Sequence, residues 1–367
     1  MEFGLNESQE ILKESARKFF AGECPTAEVR RLMATETAFD AALWAKLAEQ
    51  GYTGIIFPEQ LGGVGLGCVE LVLLMEEAGR ALLPGPFFST VALAGTALQF
   101  LAAPEQREDL LPAISRGNAR ATVAFLESSV SWNPADLQIT ATNGRLRGEK
   151  LFVADAAIAD WILVAAKNGV FLVRANAPGL QVVPMQGMDL ARKLYTVQFD
   201  GTPAEKVGEL SALSKALDIA SVALCAEMVG GMQRALDLSV EYAKTRKQFG
   251  KPIGMFQAVQ HQCADMYLET ESSRSAVYYA AWALEHNTPD AAAAASIAKI
   301  YTSDASRTVG NRAIQIHGGM GFTWENDIHL YYRRAKSSET MFGDATFHRE
   351  RLAHLVIDAG AVSAQRA

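Results

Sequence analysis

The chain has 367 residues, of which 49% are apolar and 20% are charged, and its formal net charge is −7 at pH 7. This length and composition predict an ordinary globular protein with two or three domains and sizeable cores. The negative charge, with no basic block to offset it, argues against non-specific nucleic-acid binding, and no apolar run reaches the roughly 18 residues of a membrane span. We therefore expect a cytoplasmic protein.

The cysteines and histidines point to no disulfide framework and no metal site. The four cysteines lie far apart and form no CxxC pattern, so we interpret them as reduced, mostly buried thiols. His348 and His354 are six residues apart, which places them on different faces of a helix.

Residues 1–117 have a helical pattern. Apolar residues recur with helical spacing over the first 20 residues, and a second helix is predicted over 41–50, ending at Gly51. A glycine-rich connection follows at 58–67. The next helix is predicted over 69–82, where Pro84 and Pro86 stop it, and Pro104 opens a short one.

Near Ala121 the sequence pattern changes to short apolar runs separated by turn residues such as Asn143-Gly144 and Asp200-Gly201. Evenly spaced short strands of this kind predict a small antiparallel barrel or sandwich. The predicted strands begin at Thr122, Leu137, Leu151, Trp161, Val170, Leu180 and Leu194.

From about Leu213 the helical period returns. Four long helices with short connections predict an up-down bundle. The predicted fold class is therefore α+β. It consists of an N-terminal helical domain (1–117), a central small antiparallel β-barrel (118–212) and a C-terminal four-helix bundle (213–367).

Two segments of the last domain form a chemical pair. Residues 246–253 (RKQFGKPI) offer a guanidinium beside a tight Gly/Pro turn, and residues 315–322 (QIHGGMGF) offer a glycine run. A diphosphate is bound well by a forked cation together with backbone amides that carry no Cβ nearby.

These segments resemble the flavin-diphosphate signature of the acyl-CoA dehydrogenase family. PEQLGGVGLG (58–67) with EEAGR (76–80), and YRRAK (332–336), also resemble that family, so the likeness covers essentially the whole chain. It implies FAD as cofactor and removal of two hydrogens across the Cα–Cβ bond of an acyl thioester. In that reaction a carboxylate takes the α proton and flavin N5 accepts a β hydride. An electron-transfer flavoprotein is the implied electron acceptor.

The resemblance also implies which residues contact the flavin. The diphosphate and adenosine end would belong to the neighbouring subunit's flavin, and the isoalloxazine segment would lie at Phe152-Val153, where Ala154 replaces the family's hydroxyl residue. The alternatives are a surface arginine at a helix end and glycines that merely cap a helix. The residues implied at the phosphate end are Arg246, Phe249, Gln315, Gly318 and Gly319.

The catalytic base is missing from its usual places. The position of the family's glutamate is Phe342, and the first-bundle-helix position used by a minority of members is Ala220. Asp344 and Glu227 are the candidate substitutes. Their alternative roles are a helix N-cap for Asp344 and an interhelical ion pair for Glu227.

Three functions follow as hypotheses. The chain is an acyl-CoA dehydrogenase with an atypical base, or it is a base-less subunit that supports the flavin of a homologous, base-bearing partner. Some bacterial relatives that act on steroid side-chain thioesters are built in this second way. The third hypothesis is a flavin oxidase or monooxygenase on the same fold. The expected assembly is a homodimer, a tetramer or an α2β2 complex.

Overall fold

The computed structural model describes residues 4–358, and this part of the chain divides into two compact units. The helical unit contains residues 4–26, 72–83 and 221–358, and the mixed unit contains residues 27–71 and 84–220. This division cuts across the predicted domains 1–117, 118–212 and 213–367, because two N-terminal helical segments pack with the C-terminal helices. Residues 1–3 and 359–367 of those ranges lie outside the described residues.

The helices predicted from apolar periodicity form, and residues 26–33 and 88–101 are helical as well, although no separate helix was predicted there. A π-helical segment (Phe88–Gly95) precedes α5, and no helix within residues 4–358 is long and apolar enough to cross a membrane. The helices are α1 (Glu7–Glu23), α2 (Thr26–Met33), α3 (Ala41–Glu49), α4 (Cys68–Arg80), α5 (Thr96–Leu101), α6 (Pro104–Ser115), α7 (Leu213–Thr245), α8 (Gln257–Glu285), α9 (Ala291–His317), α10 (Ile328–Thr340) and α11 (Ala345–Ala353).

The strands of the mixed unit form two sheets, of order β1-β3-β4-β7 and β2-β6-β5, while β8 and β9 form a separate hairpin. Side chains from both sheets pack into one core that includes Leu146, Val164 and Val197. The strands are β1 (Ala121–Ala124), β2 (Arg145–Ala154), β3 (Trp161–Ala166), β4 (Gly169–Arg174), β5 (Leu180–Met185), β6 (Leu194–Pro203), β7 (Glu205–Gly208), β8 (Lys247–Gln248) and β9 (Lys251–Pro252).

The predicted barrel needs correction. Among the described residues no sheet closes, and β1 pairs with β3 in parallel rather than antiparallel fashion. The chain between β1 and β3 crosses to the other sheet to form β2, so it re-enters in the same direction. The strand predicted at Leu137 does not form either. There the Glu127 carboxylate accepts from the backbone N–H groups of Gln138 and Ile139 and replaces a strand partner.

The C-terminal helices confirm the expected helical domain, with one difference in number. In place of the fourth predicted helix, α10 and α11 are separated by a loop of residues 341–344. Phe342 has φ +61° and Gly343 has φ +97°, and two consecutive residues in this region end a right-handed helix.

In the helical unit α4 and α7 approach at backbone distance. A Cβ on Gly79 would lie 1.9 Å from the Glu227 carbonyl oxygen, and one on Gly230 would lie 1.8 Å from the Glu76 carbonyl oxygen. Only glycine allows two helices to meet this closely.

The acidic side chains beside this crossing are buried and paired with cations. Glu76 accepts from Lys13 at 3.0 Å and from Arg274 at 3.1 Å, and the Arg17 guanidinium binds Glu77 through two nitrogens. Burial alone would raise the pKa of Glu76, but Lys13 and Arg274 hold that pKa below its usual value. These pairs tie α1 and α8 to α4.

The crossing predicts that Gly230→Ala lowers the free energy of unfolding by about 1–3 kcal/mol or more, since the added methyl would overlap a carbonyl oxygen. Gly231→Ala is the matched control, because its Cβ would meet no atom nearer than 3.9 Å. The control is expected to be neutral or to gain up to about 1 kcal/mol of helix propensity. Denaturant unfolding of both variants measures the difference, and equal stabilities would contradict the close crossing.

Candidate functional site

The two segments predicted to bind a diphosphate lie next to each other in the helical unit. The rings of Tyr242, in the last turn of α7, and His317, the last residue of α9, stack with centroids 4.5 Å apart. The N–H of Arg246 donates to the Tyr242 carbonyl at 2.8 Å, and Gly318 directly follows His317. The guanidinium segment and the glycine run are therefore held together by one aromatic contact.

The surface formed by these segments is open. Arg246, Gln315, Gly318 and Gly319 are exposed, and Phe249 at the tip of the β8–β9 hairpin is 91% exposed. A Cβ placed on either glycine would meet no atom within 4 Å. The backbone here is open to a ligand, and the exposed Arg246, four residues after Tyr242, offers a forked cation in the same helical unit. These residues fit the phosphates of FAD.

The hairpin that carries Phe249 has its own supports. The N–H of Ile253 donates to the Arg246 carbonyl at 2.8 Å and closes the hairpin. The Phe249 ring meets the Phe256 ring edge-on at 6.2 Å, and the Lys251 ammonium lies 4.5 Å from the Phe256 centroid. Phe249 is thus presented to solvent by a defined turn rather than by a loose loop.

The predicted isoalloxazine segment lies on a β-bulge of the mixed unit. Leu151 and Phe152 on β2 stand opposite the single residue Thr196 on β6. Phe152 has φ +56° and is 41% exposed, whereas Val153 is 1% exposed and packs in the core. Of the two residues, only Phe152 presents its side chain outward, because the bulge re-aims it.

A buried ion pair lies beneath this segment, and sequence reasoning missed it. Lys150 is fully buried and donates to the Glu127 carboxylate at 2.7 Å and to the Phe125 carbonyl at 2.8 Å. Burial lowers the pKa of Lys150 to about 8, although Glu127 opposes the shift. The pair fixes the chain that follows β1. The available signal was the charged Lys150, which directly precedes the strand predicted to begin at Leu151.

The position of the expected base holds a phenyl ring. Phe342 is 5% exposed, and Ala220, the other position at which the resemblance predicts a base, is fully buried. Neither side chain can accept a proton. The described residues also contain no group of three or more His, Cys, Asp or Glu side chains placed to bind a metal ion.

Asp344 serves as the N-cap of α11. Its Oδ1 accepts from the backbone N–H of Phe347 at 2.9 Å, and the carboxylate is exposed. This is the structural role that the sequence offered as an alternative, and it occupies one carboxylate oxygen.

Glu227 forms a buried interhelical ion pair. Its Oε1 accepts from Arg334 of α10 at 2.9 Å, and both residues are 2% exposed. The cavity beside them has a volume of about 10 Å³, which is room for one water molecule rather than a substrate. The structure therefore places Glu227 in the role of a packing ion pair.

This pair predicts that Glu227→Gln lowers the free energy of unfolding by about 3–5 kcal/mol, because it leaves the buried Arg334 guanidinium without its counter-charge. Replacing both residues by methionine is expected to recover most of the loss. Denaturant unfolding of the single and double variants gives the coupling. A double variant as unstable as the single one would show that the pair is not the source of the effect.

Two family models match the N-terminal and C-terminal parts of the chain. "Acyl-CoA dehydrogenase, N-terminal domain" matches residues 6–118, and "Acyl-CoA dehydrogenase, C-terminal domain" matches residues 210–357. Acyl-CoA dehydrogenase IpdE2 of Mycobacterium tuberculosis is 34% identical over 334 residues, which cover 90% of this chain and 92% of that protein.

Solved structures agree over nearly the full length. A variant of the Tcur3481-Tcur3483 steroid ACAD superposes with a TM-score of 0.89 at 34% identity, covering 97% of this chain and 99% of that one. A chain of the ChsE4-ChsE5 complex from Mycobacterium tuberculosis superposes with a TM-score of 0.89 at 28% identity, covering 96% of this chain and 98% of that one. With its N-terminal helices, mixed sheets and C-terminal helices, the chain belongs to the acyl-CoA dehydrogenase family of FAD-dependent oxidoreductases that act on CH–CH bonds.

Proposed function

We propose that this chain is the base-less subunit of a heteromeric acyl-CoA dehydrogenase, whose homologous partner carries the catalytic glutamate. The observation that carries the proposal is a contrast within one helical unit. The surface predicted to bind phosphate, at Arg246 and Gly318, is exposed, whereas position 342 holds a buried phenyl ring. The chain can support a flavin but has no proton acceptor at the family's base position.

The chemistry of the complex divides between its subunits. When bound, FAD supplies the acceptor for the β hydride of the acyl thioester. In this chain Arg246 provides a fork of donors for phosphate oxygens, and the bare backbone at Gly318 and Gly319 allows close approach. The α proton goes to a carboxylate of the partner, because Phe342 and Ala220 accept none.

We infer a bulky acyl-CoA of the steroid side-chain type as the substrate class. The support is the likeness to a steroid acyl-CoA dehydrogenase over almost the whole chain. An electron-transfer flavoprotein as acceptor, an α2β2 assembly and a cytoplasmic location belong to the same proposal. Cys24, Cys68, Cys225 and Cys263 form no disulfide, which is consistent with a reducing compartment.

The proposal is tested by purifying the chain alone and together with a homologous chain that has glutamate at the position of Phe342. We expect flavin absorbance and anaerobic bleaching by acyl-CoA only in the complex. A yellow single chain that reduces a dye with acyl-CoA would show instead that the chain is a complete dehydrogenase. Oxygen-dependent turnover without a thioester would favour a flavin oxidase or monooxygenase.

Asp344→Asn separates the two sources of a base. Asparagine caps a helix as well as aspartate does, so the variant keeps the fold while it removes the carboxylate. We expect the complex to retain its rate of acyl-CoA-dependent flavin reduction within about two-fold. Loss of turnover by orders of magnitude, with the melting temperature unchanged, would make Asp344 the base.

Arg246→Ala is expected to lower FAD occupancy of the complex, because a charge-assisted contact to phosphate is worth about 1.5–3 kcal/mol, or roughly ten-fold or more in Kd. Lys244→Ala is the matched control, since this exposed lysine lies two residues earlier on α7. Flavin titration after removal of the cofactor measures both values. Equal Kd values for the two variants would remove Arg246 from the flavin site.

A further inference from the structure

The 341–344 loop, which joins α10 to α11, has a backbone that must be held in place. Phe342 lies in the left-handed region at φ +61° while its ring is buried. A bulky side chain in that region costs about 1–3 kcal/mol, and it persists only where surrounding contacts over-determine it. The neighbouring Gly343 has φ +97°, and a Cβ there would lie 2.2 Å from the Phe347 ring.

The first of these contacts comes from Lys299 on α9. Helix α10 has no basic residue in its last turn, and its last carbonyls lack helical partners. The Lys299 ammonium donates to the carbonyls of Ser338 at 3.1 Å and Glu339 at 2.8 Å, and to the Ser303 hydroxyl at 3.1 Å. A fully buried cation therefore ends α10 just before the loop.

The second contact comes from His348 on α11. Its Nε2 lies 3.0 Å from the Phe342 carbonyl, which can only accept, so Nε2 carries the proton. His348 is 2% exposed, and burial, with Lys299 nearby, lowers its pKa to about 4. The imidazole is therefore neutral at physiological pH and holds the middle of the loop.

We propose that Lys299 and His348 are positioning residues that together hold position 342 in one buried orientation. Lys299 fixes the chain before the loop, His348 fixes the carbonyl of Phe342 itself, and the Asp344 N-cap fixes the chain after it. The loop therefore fixes the orientation of the side chain at position 342, whatever residue stands there. In this chain that side chain is a rigid apolar wall.

That position 342 is the base position rests on the proposed function. The contacts that hold the loop do not depend on it. If the base is supplied by a partner, the two positioning residues keep this subunit's own base position closed by a fixed ring. The test therefore observes the ring directly and needs no turnover, so its failure is distinguishable from failure of the partner experiment.

The experiment uses the full chain, alone and in complex, labelled with 4-fluorophenylalanine and observed by 19F NMR. Phe342→Leu identifies the resonance of ring 342, which we expect to be single. His348→Leu removes the hydrogen-bond donor to the Phe342 carbonyl and is expected to add a second resonance for ring 342. His348→Gln keeps a donor of similar reach and is expected to show a single resonance. Lys299→Met is also expected to add a second resonance for ring 342. Hydrogen exchange of the loop amides should rise at least ten-fold in both donor-less variants.

Val309→Ala is the control for simple destabilisation, because Val309 is a fully buried residue of the same helix α9. It should lower the melting temperature and leave the resonance of ring 342 single. If Lys299→Met does not fold, the two His348 variants decide the matter. A single resonance with unchanged exchange in His348→Leu, or a second resonance in Val309→Ala, would overturn the proposal.

Discussion

The close crossing of α4 and α7 is the constraint on which the helical unit depends. At Gly79 and Gly230, a carbonyl oxygen of the opposite helix lies where the Cβ of any other residue would be. This approach buries three carboxylates, of Glu76, Glu77 and Glu227, each of which needs a counter-charge inside the protein. Because the cations come from α1, α8 and α10, the pairs connect segments far apart in the sequence.

The same unit contains a functional asymmetry. Where α7 and α9 end, a stacked tyrosine–histidine pair brings an arginine and a glycine run to an open surface. At the end of α10, a buried lysine and a neutral histidine hold a loop around a phenyl ring. The exposed surface with Arg246 and the glycine run is the one proposed to bind a charged ligand, whereas position 342 carries a phenyl ring that accepts no proton. A subunit that supports chemistry carried out with a partner accounts for both.

Much of the fold was predictable, and the errors have local causes. The helices followed from apolar periodicity and from proline and glycine boundaries, since a helix must bury one face. The predicted antiparallel barrel is not seen among residues 4–358, where the strands form two open sheets and β1 pairs with β3 in parallel. Alternation within a strand does not say which strands pair or where a sheet ends. The strand at Leu137 was wrong because the Glu127 carboxylate, eleven residues before Gln138, satisfies that backbone, and no local pattern reveals such a partner.

Residue types at fixed spacing indicated the family, which the family models and the relatives confirm. They also predicted the phosphate-binding segments and showed that position 342 carries no carboxylate. What the remaining carboxylates do became visible only when the chain was folded. Asp344 caps a helix, and Glu227 pairs with an arginine 107 residues away. The role of an ionisable side chain is set by its burial and by the charges beside it, and both arise from contacts between distant parts of the chain.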